Sequence, residues 1–120
     1  ITEESPATLT RDYILTLDNA LTIYIARFQD NPDNCLCIYD TGGGTNDTDT
    51  GKPTISIHCR DVSYKKARGL LEAIKLELDK VTSNGKIVGY EVLGDINNYK
   101  IDEAKRYYFS LNLIVYTEKI

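Results

Sequence analysis

Apolar and polar positions alternate with two different periods along this chain, and the change of period is sharpest in residues 53–81. Ile55, Ile57 and Cys59 alternate with Ser56, His58 and Arg60, the period-two pattern of a strand with one buried face. Asp61 and Ser63 follow, with side-chain oxygens suited to capping a helix start. Ala67, Leu70, Leu71, Ile74, Leu78 and Val81 then recur at steps of three and four. That spacing predicts one apolar stripe along a helix of about five turns. The strand and the stripe together predict the centre of the core.

Upstream, Tyr13, Leu17, Leu21, Tyr24, Ile25 and Phe28 share one side at helical spacing, which predicts a first helix over residues 9–28. Its threonines and isoleucines also permit strand. Residues 1–8 read as a flexible arm, and Pro32 stops the helix. Residues 35–40 (CLCIYD) read as a strand pairing with residues 53–60 in a long hairpin. Between them, residues 41–52 (TGGGTNDTDTGK) carry four glycines and no large apolar side chain. Such a stretch predicts a flexible loop, and loops of this length in a compact domain are often functional.

Ser83, Asn84 and Gly85 end the second helix. Residues 87–93 read as a third strand, 94–100 (GDINNYK) as a polar turn region, and 101–105 as a short approach to the last strand. Residues 106–117 form the longest strand, with Tyr107, Phe109, Leu111, Leu113 and Val115 on one face. Tyr108, Ser110, Asn112, Ile114 and Tyr116 lie on the other. The order α-β-β-α-β-β predicts an α+β fold with residues 1–120 as a single domain. Its sheet is four-stranded and mainly antiparallel or mixed, with two helices on one face.

Charge narrows the partners. With 14 basic against 18 acidic residues, the formal net charge of -4 is a poor match for DNA or an anionic membrane as primary ligand. No apolar run approaches the roughly 18 residues of a membrane span. Cys35, Cys37 and Cys59 are odd in number and lack framework spacing, which predicts reduced, core-type thiols made in a cytoplasm. The polar N-terminus carries no secretory signal, and the absence of methionine predicts a natural start further upstream.

Patterns that could carry chemistry fail in specific ways. Gly51 and Lys52 would end a P-loop, but Pro53 stands where Ser or Thr is required and Asn46 where Gly is required. Asp47, Asp49 and Gly51 lack the third oxygen ligand, the sixth-place glycine and the closing glutamate of a calcium loop. Asn46-Asp47-Thr48 matches the glycosylation triplet, but without a secretory signal. His58 and Cys59 point to opposite sheet faces, so they form no nucleophile–base pair, and three thiols with one histidine on alternating faces make a poor zinc site.

Asp102, Glu103, Lys105 and Arg106 form a charged corner, read either as solvated or as an intersubunit salt-bridge site. Its two adjoining carboxylates show no sign of the desolvation that acid–base catalysis needs. No catalytic, metal-binding or cofactor-binding residue is predicted, and no cofactor. Tyr64, Tyr99, Tyr108 and Tyr116, among nine tyrosines, are expected to point outward, which suits a protein-binding or self-assembling module.

Three segments, IHCRDVSYKKARGLLEAI, CIYDTGGG and DEAKRYYFSLNLIVYT, then carry a resemblance over about residues 33–118. They resemble the tail terminator proteins of long-tailed, siphovirus-type bacteriophages, a group also called phage minor capsid proteins. The resemblance implies a small α/β subunit that assembles into a ring, commonly a hexamer; copies that are monomeric before assembly are compatible with it. The ring caps the tail tube, ends its polymerisation and forms the head-joining surface of the neck. No enzyme activity, cofactor or membrane is implied.

The implied partners are further copies of the chain, the major tail tube protein and a head-completion or connector protein. DNA passes through the ring without specific binding, which an acidic subunit suits. The implied location is the tail-neck of the virion, after assembly in the bacterial host cytoplasm. Arg60, Asp61, Tyr64, Asp102, Glu103, Arg106 and Tyr108 are expected at a subunit interface. Gly42, Gly43, Gly44, Asn46, Asp47, Asp49 and Lys52 are expected in a loop that docks to tube or neck. The competing readings are another neck or head-completion protein, and a ferredoxin-like regulatory module that binds a small ligand.

Overall fold

The first helix starts where its backbone donors find partners. Ser5 Oγ accepts from the Thr8 N–H, and Pro6, which has no N–H to satisfy, opens α1 (Pro6–Leu17). The Asp40 carboxylate accepts from the Ala7 N–H at 3.1 Å, placing negative charge at the helix N-terminus and tying the helix to a strand. The computed structural model describes residues 5–30, 32–42, 50–51, 53–81 and 87–118.

This helix begins inside the segment expected as an arm and ends at Leu17 rather than Phe28. Asp18 takes extended backbone, its N–H still bonded to the Ile14 carbonyl, and its carboxylate accepts from Ala20 N–H. The run that follows is β-branched and aromatic, and it becomes β1 (Ile23–Ile25) beside β2 (Cys35–Gly42), in parallel. The helical spacing of Tyr24, Ile25 and Phe28 therefore does not reflect a helix.

β3 (Thr50–Gly51), β4 (Thr54–Asp61), α2 (Tyr64–Asp79), β5 (Ile87–Ile101) and β6 (Tyr107–Glu118) complete the chain. The fold is α+β with a mixed six-stranded sheet. Four strands were expected, and β1 and β3 are the two short additions. Along the sheet the order is β1, β2, β4, β6, with β5 on the outer side of β6. β3 pairs with Thr117 and Glu118 at the end of β6.

Opposed residues share a face, so the registers settle which side is buried. Leu36, Cys59 and Phe109 fall in one row; Ile38, Ile57 and Leu111 fall in the next. Both helices cover this face: Ala7 and Ile14 from α1, and Ala67, Leu71, Ile74 and Leu78 from α2, join one core with these strands. α2 delivers the expected stripe, capped by Ser63 Oγ on the Lys66 N–H.

The largest departure is β5. Residues 94–100, expected as a turn, continue the strand to Ile101. Gly94 sits at φ +74°, and the register slips between Leu93 and Asn97, so the strand bulges and resumes. Its polar residues are tolerated because β6 supplies the pairing and one side of the strand faces water. The expected turn at Ser83, Asn84 and Gly85 lies outside the described residues.

Candidate functional site

The registers gather all seven residues expected at an interface near one end of the sheet. Arg60 lies across from Cys35 on one side and Tyr108 on the other, and Asp61 and Ile101 both pair with Tyr107. The opposite end begins where Gly42 pairs with Thr54, about 20 Å away at the rise of an extended strand. Gly42 belongs to β2, whereas Gly43, Gly44, Asn46, Asp47, Asp49 and Lys52 lie outside the described residues.

Arg60 is an internal clamp, 2% exposed. Its Nη2 donates to the Gln29 and Pro32 carbonyls, both at 2.6 Å, and its Nε donates to the Asp33 carbonyl at 3.1 Å. Its guanidinium carbon lies 5.0 Å from the Phe28 ring centre and 5.9 Å from that of Tyr108. Carbonyl dipoles and ring faces thus replace water around a buried cation. This side chain ties the segment between β1 and β2 to the sheet through three carbonyls.

Asp102 is the second hub. Its Oδ1 accepts from the Ala104 and Arg106 N–H groups; its Oδ2 accepts from Arg106 Nε at 2.7 Å and from the Tyr108 hydroxyl at 2.9 Å. Arg106 Nη1 donates onward to the Asp30 carbonyl and lies 3.6 Å from the Asp33 carboxylate. Asp102 and Arg106 side chains are only 12% and 13% exposed, so the corner read as solvated is largely closed. Tyr108, expected outward, is buried, because its ring packs edge-on to Phe28 at 5.3 Å.

Burial works against the Asp102 charge, but the Arg106 backbone N–H, the Tyr108 hydroxyl and the Arg106 guanidinium outweigh it and hold the carboxyl down at about 2. The folded state therefore binds this proton less readily than the unfolded chain. Its stabilisation is complete above the ordinary carboxylate range and is lost as pH falls through about 2. Asp102→Asn is expected to lose about 1–3 kcal/mol at neutral pH and to show a flatter stability profile between about pH 4 and 2. Urea midpoints measured across that range check it; profiles of equal slope count against the assignment.

The remaining corner residues face outward in part. Asp61 Oδ1 accepts from the Ser63 N–H at 2.9 Å, shaping the turn into α2. Tyr64 is 48% exposed, with one side of its ring against Tyr107 and Phe109. Glu103 is exposed on the turn after β5.

The sheet face away from the helices holds a cluster that sequence patterns alone did not reveal. His58 Nε2 is hydrogen-bonded to Ser56 Oγ at 2.8 Å, and its Nδ1 to the Tyr99 hydroxyl at 2.6 Å. Tyr39 packs against the imidazole at 4.7 Å, and burial lowers the His58 pKa. Serine, histidine and a third group stand in the order of a hydrolytic triad. Ser56, however, is 5% exposed in mid-strand, which leaves no approach for a substrate carbonyl. The only sequence signal was the i, i+2 spacing of Ser56 and His58. Cys35 and Cys37 pair with Arg60 and His58, which puts them on the face opposite Cys59. All three thiols are free and buried, and burial pushes their pKa values up, that of Cys59 to about 12.

A family model described as "Bacteriophage tail terminator protein" matches residues 9–119. The chain belongs to that family. Among solved structures, 13 chains match. One comes from the virion of a native gene transfer agent particle; it superposes with a TM-score of 0.63 at 12% identity, covering 88% of this chain and 84% of that one. That likeness is one of fold. No curated protein matches the chain significantly. A member of that family is a phage virion structural protein and not an enzyme, as the resemblance of its three segments implied. Its hydrogen-bonded hubs brace a surface rather than position a reaction.

Proposed function

We propose that this protein caps the head-proximal end of a phage tail tube as a ring of six copies, ends its polymerisation and presents the surface that joins the head. The match to the tail terminator family over residues 9–119 carries this reading. The braced sheet end supports it. Val62, Tyr64 and Ile101, at 53%, 48% and 55% exposed, project from a body that Arg60, Asp102, Arg106 and Tyr108 make rigid. In this reading Tyr64 and Glu103 touch the neighbouring copy, while Asp61 and the buried residues hold them in place.

The segment that follows Gly42 docks to tube or neck. A head-completion or connector protein meets the other side of the ring. The net charge of -4 lets DNA pass without being held. Assembly takes place in the host cytoplasm from monomers. Purified protein added to growing tail tubes is expected to stop elongation and to appear as a terminal ring by electron microscopy. Unchanged tube growth with bare ends would sink the reading.

A further inference from the structure

We propose that the outer edge of β5 is the strand by which one copy grips the next in that ring; the inference rests on the ring reading above. β5 runs from Ile87 to Ile101 and, among the described residues, pairs with β6 alone. Among the described residues no strand lies on its other side. Such an edge presents a row of backbone donors and acceptors that water or another strand must satisfy.

Apolar surface concentrates on the same strand. Of eight exposed large hydrophobic side chains among the described residues, four belong to β5: Val88 at 43%, Leu93 at 38%, Tyr99 at 43% and Ile101 at 55%. Single exposed apolar residues are ordinary, but Val88, Leu93 and Ile101 on one rim strand, beside a Tyr99 that leans inward to His58, mark an interaction surface. Of the usual guards of an edge, β5 lacks proline and carries only three charged side chains, Glu91, Asp95 and Lys100, so its register shifts are the main guard. The widest of three register shifts, after Leu93, divides the edge into two main runs, with smaller shifts after Ile87 and Asn98; together they discourage indiscriminate pairing. The second run ends at Ile101 beside Tyr107, whose ring meets Tyr64, so the edge is continuous with the exposed corner.

The occupant is a second copy of this chain, meeting β5 with a different surface. The other end of the sheet is β1, three residues long and parallel to its neighbour, whereas β5 is long and antiparallel. Two unlike ends suit head-to-tail contacts, which close into rings, whereas a self-complementary edge closes as a two-fold dimer.

Leu93→Lys combined with Ile101→Lys puts charge on both runs without entering the core. The wild type is expected to form rings whose β5 amides gain hydrogen-exchange protection on assembly. The double variant is expected to keep the wild-type melting temperature and to need at least about tenfold more protein to assemble, read by mass photometry. If the double variant melts early, Val88→Lys takes its place with the same expectation. Normal rings from the variant, or wild-type rings whose β5 amides exchange as in the monomer, overturn the edge proposal and leave the ring reading intact. A two-fold dimer as the end product overturns the head-to-tail contact. A wild type that forms no ring, alone or on tail tubes, overturns the ring reading and the edge with it.

Discussion

Replacing Arg60 with leucine is expected to destabilise the folded chain by about 3–5 kcal/mol. Leucine fills part of the space but leaves the carbonyls of Gln29, Pro32 and Asp33 without the donors they now share. These acceptors lie over a residue that is 2% exposed, so water reaches the gap only if the segment lifts. Lifting it also removes the Asp30 and Asp33 partners of Arg106, so the two hubs fail together. Arg60→Lys is expected to recover only a minor part, because an ammonium group cannot present a planar fork to three carbonyls and two ring faces. Urea unfolding of both variants measures this. A loss below about 1 kcal/mol for leucine would mean that the segment is held by something else.

Phe109→Ala is expected to cost a comparable amount, about 3–5 kcal/mol, by a different route. Phe109 is fully buried on β6, opposite Cys59, and its ring makes a T-shaped contact with that of Tyr64, the centres 4.9 Å apart. Alanine leaves a cavity beneath the first turn of α2 and removes the support on which Tyr64 leans. Tyr64→Ala, at a side chain 48% exposed, serves as the control and is expected to cost much less in stability while weakening assembly. Urea midpoints separate the two, and ring yield is read alongside. Equal losses from both substitutions would show that the corner, not the core, carries the energy.

Much of the fold was legible from spacing because the helices cover only one face of the sheet. β4 and β6 alternate cleanly since one face meets helices and the other does not, and α2 repeats at the helical period for the same reason. The end of α1 was misread because Tyr24, Ile25 and Phe28 happen to fit helical spacing, whereas their neighbours favour strand and β2 offers a partner. The polar stretch from Gly94 to Lys100 could not be recognised as strand locally. Its pairing comes from β6, and an edge strand has little apolar alternation to display.

The candidate site was legible in its membership more than in its working. Arg60, Asp102 and Arg106 stood out as polar residues beside strand ends, but a charge pattern says nothing of what folds over it. Gln29, Asp30 and Asp33 carried no signal beyond turn chemistry, and they supply the partners that turn expected contact residues into internal braces. His58 was read only as failing to pair with Cys59 or to complete a zinc site, and its hydrogen bond to Tyr99 exists because β5 brings that residue across.

By itself, the sequence determined the α+β class, the buried face of β4 and β6, the stripe of α2 and the family, because each depends on residue order and near-neighbour spacing. Only the tertiary structure decided that Arg60 points into the protein, that Asp102 and Arg106 are closed off, and that β5 runs on to Ile101 with no second strand beside it among the described residues. Those outcomes depend on segments distant in the chain meeting in space. A buried cation is tolerable only where remote carbonyls converge on it, and a polar strand forms only where another strand supplies its hydrogen bonds.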